Sequence, residues 1–184
     1  MTLLIAGLAV FFGPHLISTF VPLRAALVDR LGENPYMGLY SAVSLAGLVM
    51  IVMGYARAPL EVVYEPPTWG RSGNTLLMLV AVILLVAAYA PSNIKRLTAH
   101  PMLWGTFLWA AGHLLANGDK ASLLLFGSFA IYALYDMWSA NRRGQRPSKE
   151  KYPFAKDITI VVLALIIYAI LFRFHGTFFG APLI

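Results

Sequence analysis

Apolar residues along this chain gather into six long stretches, roughly residues 2–22, 35–56, 73–90, 101–117, 121–139 and 157–175, and the segments between them hold most of the charge. Each stretch approaches or exceeds the ~17–25 residues that a helix needs to cross a bilayer. The pattern predicts an all-α, polytopic membrane bundle of about six transmembrane helices, with residues 1–184 forming a single transmembrane domain.

Local signals refine that outline. After the first stretch ends near Phe20-Val21-Pro22, the run LRAALVDRLG reads as a short amphipathic piece lying on the membrane surface. The second stretch places Tyr40, Ser44, Gly47, Ile51 and Gly54 at helical spacing, and small residues on one stripe let helix backbones approach closely. The third (LLMLVAVILLVAAY) has almost no polar group, so much of it is expected to face lipid. The loop Pro66-Pro67-Thr68-Trp69-Gly70 reads as an ordered cap, with Trp69 and Tyr64 as interface anchors. The fourth and fifth stretches meet at a tight Asn117-Gly118-Asp119 turn, which predicts an antiparallel hairpin with Asp119 as N-cap of its second helix.

Composition agrees with the pattern. Hydrophobic residues make up 59% of the 184, and only 12% are charged, about half of the ~25% of a soluble domain. Length leaves room for one bundle and no separate soluble domain. The N-terminus (MTLLIAGLAVFFG) has neither a basic leader nor a small-residue cleavage site, so it is expected to stay as a helix. The net charge of +6 is no nucleic-acid signal, because the basic residues sit in loops between apolar spans. Arg24, Arg30, Lys95, Arg96, Arg142, Arg143, Arg146, Lys149, Lys151 and Lys156 fall in the first, third and fifth loops; Arg57, Arg71, Lys120 and Arg173 fall on the other side. The positive-inside rule then predicts cytoplasmic odd loops and both termini on the non-cytoplasmic side. The segment from Asn141 to Lys156 is expected to be a solvated basic linker.

The absence of cysteine excludes disulfides, thiolate metal sites and covalently attached c-type haem. Chemistry must therefore come from elsewhere, and the histidines stand out. A histidine inside hydrocarbon is costly and needs a partner or a purpose. His15 follows Phe11, Phe12, Gly13 and Pro14 within the first stretch; His113 follows Trp109 and Gly112 within the fourth. Small neighbours leave room for a flat macrocycle, and imidazoles from two facing helices are a common way for a bundle to hold metal or haem. His15 and His113 are thus the candidate pair; hydrogen bonding that only fixes helix packing is the plainer alternative. His100, just before Pro101, suits a polar anchor, and His175 stands at the outer end of the last stretch, where it could close a pocket. Asp136 is expected to pair with Arg142 or Arg143. Arg173 can snorkel or pair with a carboxylate. No triad pattern, phosphate loop or H-E-x-x-H is present.

The blocks Phe12-Gly13-Pro14-His15-Leu16, His100-Pro101-Met102-Leu103-Trp104-Gly105 and Leu108 through Asp119, with Ser122 to Gly127 after it, resemble the NnrU family of bacterial membrane proteins over nearly the whole chain. That resemblance implies a multi-pass protein of the bacterial inner membrane, associated with nitrite and nitric-oxide reduction. The family is also similar to 15-cis-zeta-carotene isomerase, a membrane enzyme that holds haem b on histidine axial ligands and isomerises a polyene. Carried over motif by motif, its two histidines fall on His15 and His113. Its cysteine ligand falls on Ala110, so a ligand change of that kind has no counterpart here.

The resemblance implies non-covalent haem b on His15 and His113, with Phe11, Phe12 and Trp109 as apolar walls and Arg173 as a propionate partner. Isomerisation of a lipophilic polyene and nitrogen-oxide handling remain open as activities. Two other classes stand beside it. One is an accessory protein for a respiratory reductase. The other is a membrane S-adenosylmethionine-dependent methyltransferase, suggested by His100-Pro101 with Trp104-Gly105, although Ala99 replaces the arginine of that motif and no paired glutamates follow.

Overall fold

The computed structural model describes residues 1–180. Among them the chain forms α1 (Thr2–Thr19), α2 (Val21–Leu31), α3 (Glu33–Ala56), α4 (Gly70–Tyr89), α5 (Pro101–Ala116), α6 (Lys120–Arg142) and α7 (Phe154–Phe179), with a 3-10 turn at Asn93–Arg96. The expected all-helical membrane architecture is present. α1, α3, α4, α6 and α7 are long and apolar enough to cross a membrane. The fourth expected span departs from the outline: α5 has 16 residues, about 24 Å of helix against a hydrocarbon layer of about 30 Å. His100-Pro101 fixes its start and Asn117-Gly118 its end, so its length is set by punctuation, not by hydropathy.

Two compact units emerge. The first comprises Met1–Glu65 with Asn117–Ser128. Its spine is an antiparallel seam between α1 and α3, with Leu4 against Gly54, Gly7 against Met50 and Ile51, and Phe11 against Gly47. Gly47, Ile51 and Gly54 are buried, as the small-residue stripe predicted. The LRAALVDRLG run is helical as α2, beginning after Phe20 with Pro22 in its first turn, where proline's missing N–H costs nothing. Arg24 reaches Glu33 at 3.6 Å and lies over the Tyr36 ring.

The segment after α3 is pinned to the turn before α6. Val63 N–H and Tyr64 N–H donate to the Gly118 carbonyl at 2.8 and 3.1 Å, and Lys120 N–H donates to the Glu61 carbonyl at 2.8 Å. Tyr64 Oη–H donates to the Asn117 carbonyl at 2.8 Å. Burial, and then the Asp119 carboxylate, raises the Tyr64 phenol above its ordinary pKa. Asp119 caps α6 as expected: its Oδ1 accepts from Ser122 N–H at 2.9 Å and its Oδ2 from Ser122 Oγ–H at 2.6 Å. Removing that cap with Asp119→Ala is expected to lower stability by about 1–2 kcal/mol, while Asp119→Asn keeps most of it. Thermal unfolding in detergent checks the pair, and equal losses in both would remove the cap as the cause.

The second unit comprises Pro66–Ala116 and Phe129 onward. α4 is its central element, packed on both α5 and α7. Its buried positions are few, Ala81, Val82 and Ala87 besides Gly70, while Thr75, Leu76, Val80 and Tyr89 are exposed and the others from Asn74 on are half-buried. Lipid tails and neighbouring side chains are equally apolar, so hydropathy does not tell the two apart. The close approach comes from Gly105, where a Cβ would stand 2.8 Å from Leu85 and 3.0 Å from the Ala81 carbonyl oxygen. α7 joins through Tyr168 Oη–H, which donates to the Thr75 carbonyl at 3.1 Å.

The basic linker is exposed for most of its length but is strapped down rather than loose. Asn93 donates to both carboxylate oxygens of Asp157 at 2.8 and 2.7 Å and accepts from Tyr152 N–H at 3.0 Å; Ser148 N–H donates to the Lys95 carbonyl at 2.8 Å.

Candidate functional site

The α1–α3 seam positions His15 one turn beyond Phe11. Pro14 lies within α1 without ending it. His15 Nδ1–H donates to the Phe11 carbonyl at 2.6 Å. The Phe11 ring stacks on the imidazole at 4.3 Å with 25° between planes; Phe12 lies edge-on at 6.5 Å and Tyr40 tilts against it at 5.2 Å. Around Gly13 a Cβ would meet nothing within 4 Å, so that side of α1 is open. The buried Ser44 Oγ has no hydrogen-bond partner.

His113 repeats the arrangement on α5. Its Nδ1–H donates to the Trp109 carbonyl at 2.8 Å. The Trp109 ring tilts against it at 5.4 Å, and Phe129 packs edge-on against Trp109 at 5.4 Å. In both histidines the bond to the carbonyl four residues back fixes the tautomer and places the lone pair on Nε2.

Gly112 does not leave the room expected of it. A Cβ there would stand 2.5 Å from Asn74 Oδ1 and 3.3 Å from Leu77 Cβ, so this glycine serves the α4–α5 contact. Asn74 Oδ1 itself is buried without a hydrogen-bond partner.

His175 was placed at the outer end of the last apolar stretch, but α7 continues to Phe179 and holds it within the helix. Its ring faces His113 with centroids 6.5 Å apart and 24° between planes. No spacing in the chain relates these two histidines, and Tyr40 and Phe129 were likewise not singled out as ring neighbours.

The other polar groups behave as anchors. His100 is buried and its Nε2 lies 2.9 Å from Asn141 Oδ1. Asp136 pairs with Arg143 at 3.4 Å, while Arg142 lies over the Trp138 ring. Arg173 is exposed, with its guanidinium over Phe174 at 5.6 Å. Among the described residues, no three histidine, aspartate or glutamate side chains gather as a cage for a bare metal ion.

The family described as NnrU protein matches residues 3–183. The chain belongs to the NnrU family. No curated protein and no solved structure matches it. For this NnrU protein, then, the arrangement of side chains is the ground on which any chemistry is argued. The structure brings Phe11 and Phe12 to His15, and Trp109 to His113, as the sequence suggested. It sets the Arg173 guanidinium over Phe174 and adds His175 to the neighbourhood of His113.

Proposed function

We propose that this NnrU protein binds haem b non-covalently within the bacterial inner membrane, with His15 and His113 as axial imidazoles. The observation that carries the reading is the repeated local design. Each histidine stands four residues after an aromatic residue whose carbonyl takes its Nδ1–H and whose ring lies against the imidazole. A ligating histidine is ordinarily oriented in this way by a partner on its other nitrogen. The support is local to each histidine.

The donor set also fits. Paired histidines without a third ligand suit a metal that arrives in a macrocycle supplying its remaining nitrogens. Phe11, Phe12 and Trp109 give the apolar walls that a non-covalent haem needs. Asn74 Oδ1 is a buried polar atom awaiting a partner on the helix packed against Gly112. Arg173, exposed near the end of α7, is the cation for a propionate.

When bound, haem b supplies a one-electron couple and, if an imidazole leaves, a coordination position for a small ligand. The chain's own residues hold the imidazoles in one tautomer, exclude water from the span and offer an apolar surface. Nitric oxide and a lipophilic polyene are the ligand classes that such a site admits, and a respiratory reductase is the partner class.

The test is an absorption spectrum of the detergent-purified protein, oxidised and dithionite-reduced, with His15→Ala and His113→Ala alongside. A Soret band with sharp reduced α and β bands, altered in both variants, is expected. A wild type that stays colourless after haem is added would overturn the reading and leave an accessory role for the reductase.

A further inference from the structure

Two cavities of the second unit meet at Tyr89, one polar and one apolar. The polar one follows from how the helices stop. Ala90, held extended by the proline after it, ends α4. The chain then crosses by the Asn93–Arg96 turn to His100-Pro101, where α5 begins. At the end of α6, Gly144 takes φ +88° and turns the chain back, with Gln145 N–H donating to the Ala140 carbonyl at 3.0 Å. Ser148 N–H then reaches the Lys95 carbonyl at 2.8 Å, so the basic linker lies against the α4–α5 crossing.

These segments enclose a cavity of about 470 Å³ lined by Lys95, Thr98, His100, Gln145, Arg146 and Ser148. His100 is buried and held by Asn141. Arg146 Nη1 donates to the Asn141 and Gln145 carbonyls at 3.1 and 2.8 Å, which fixes the guanidinium and leaves its other donors for an anion. Among the described residues neither Lys95 nor Arg146 takes part in an ion pair. Asp136 also lines the cavity, but it already carries Arg143. The pocket therefore holds two cations and no free carboxylate to balance them.

The second cavity, about 480 Å³, is a groove between α4 and α7, with Val82, Leu85 and Val86 on one side and Leu163, Ile167 and Leu171 on the other. From Ala90 back to Val82 it follows α4 for about 12 Å. An unbalanced cationic pocket at the mouth of an apolar groove matches an amphiphile with a negative head. A free phosphate would use only half of it.

We propose that the second unit binds one anionic phospholipid, with its phosphate on Lys95 and Arg146 and an acyl chain in the α4–α7 groove beyond Tyr89. Basic pockets beside transmembrane helices are where anionic headgroups settle. The guanidinium offers paired donors to phosphate oxygens and the ammonium a point charge. Thr98, Gln145 and Ser148 offer neutral hydrogen-bonding groups for the rest of the headgroup. The site is independent of the haem reading and draws on none of its residues.

The experiment is native mass spectrometry of the full-length protein in detergent, titrated with phosphatidylglycerol or phosphatidylcholine. One phosphatidylglycerol per chain is expected, bound roughly tenfold more tightly than phosphatidylcholine. Lys95→Gln/Arg146→Gln is expected to abolish that preference while phosphatidylcholine binding stays unchanged, which shows that the variant is folded. Lys149→Gln/Lys151→Gln removes the same charge from exposed linker positions outside the cavity and should keep the preference. Ile167→Trp fills the groove and should weaken both lipids several-fold. If the Lys95/Arg146 double variant loses both lipids, the two single variants are read instead, each expected to weaken phosphatidylglycerol alone. Equal binding of the two lipids by the wild type overturns the proposal. So does a preference lost alike in both charge pairs, which is general surface attraction, or one kept without Lys95 and Arg146. Displacement of the lipid by inorganic phosphate would make this a site for a free anion, and an Ile167→Trp protein that binds as the wild type does would empty the groove of its acyl chain; either result also overturns it.

Discussion

Gly47→Val is expected to cost the first unit about 3 kcal/mol or more, the upper end of what overpacking does. A Cβ on Gly47 would stand 2.5 Å from the backbone nitrogen of Phe11 and 2.7 Å from its Cα. A flexible side chain could swing aside, but these atoms belong to the α1 main chain, so the two helix axes must separate. The separation would propagate along the seam. Gly7 is as tightly set against the backbone of Met50 and Ile51, and a Cβ on Gly54 would run into the backbone of Leu4. In a membrane the loss is not offset by hydrophobic collapse, because close packing is what holds such helices together.

Gly38→Ala is the control on the same helix. Its Cβ would meet nothing within 4 Å, and alanine's better helix propensity favours the change by up to about 1 kcal/mol. Unfolding in detergent, followed by circular dichroism against temperature, separates the two. A Gly47→Val protein that melts with the wild type would mean that the seam is not load-sharing. The consequence reaches the site, since the displaced residue is Phe11, whose carbonyl orients His15. The milder Gly47→Ala is therefore expected to disturb the His15 contribution to any haem spectrum before it unfolds the chain.

What the sequence revealed depended on the range of the interaction. The Gly47, Ile51, Gly54 stripe was legible because one helix face writes itself at intervals of three and four residues. The Asp119 cap was legible because a cap acts over three residues. The surroundings of His15 and His113 were legible because the decisive partners, Phe11 and Trp109, lie one turn away on the same helix.

Illegibility set in where two distant helices had to be matched. Which neighbours α4 packs on, α5 and α7, was not legible, because a helix face against apolar helices and one bathed in lipid have the same composition. Gly112 looked like room for a macrocycle, whereas its space belongs to Asn74, far away in the chain and close in the fold. His175 looked peripheral because nothing in its own neighbourhood announces His113. The bounds of α5, by contrast, were legible to within a residue, because the proline and the Asn-Gly turn that close residues 101–117 act locally on the backbone.

The Gly112–Asn74 contact yields the second large effect, and one that a pairwise test can isolate. Gly112→Val would place its Cβ 2.5 Å from Asn74 Oδ1 and 3.3 Å from Leu77 Cβ, at an expected cost of about 2–3 kcal/mol. Asn74→Ala alone is expected to be nearly neutral or stabilising, because Asn74 Oδ1 has no hydrogen-bond partner to lose. Combining the two removes the obstructing atom, so the double variant should recover part of the loss. A coupling of about 1–2 kcal/mol is expected, within the range seen for residues in contact. Additive effects would show that the valine is rejected by something other than Asn74. The haem reading adds a second readout to the same cycle. If Asn74 serves a bound group as well as filling space, Asn74→Ala should weaken haem retention while leaving the melting of the haem-free protein unchanged. If it only fills space, both properties should hold steady, and the polar atom beside His113 would be a cost of packing with no part in binding.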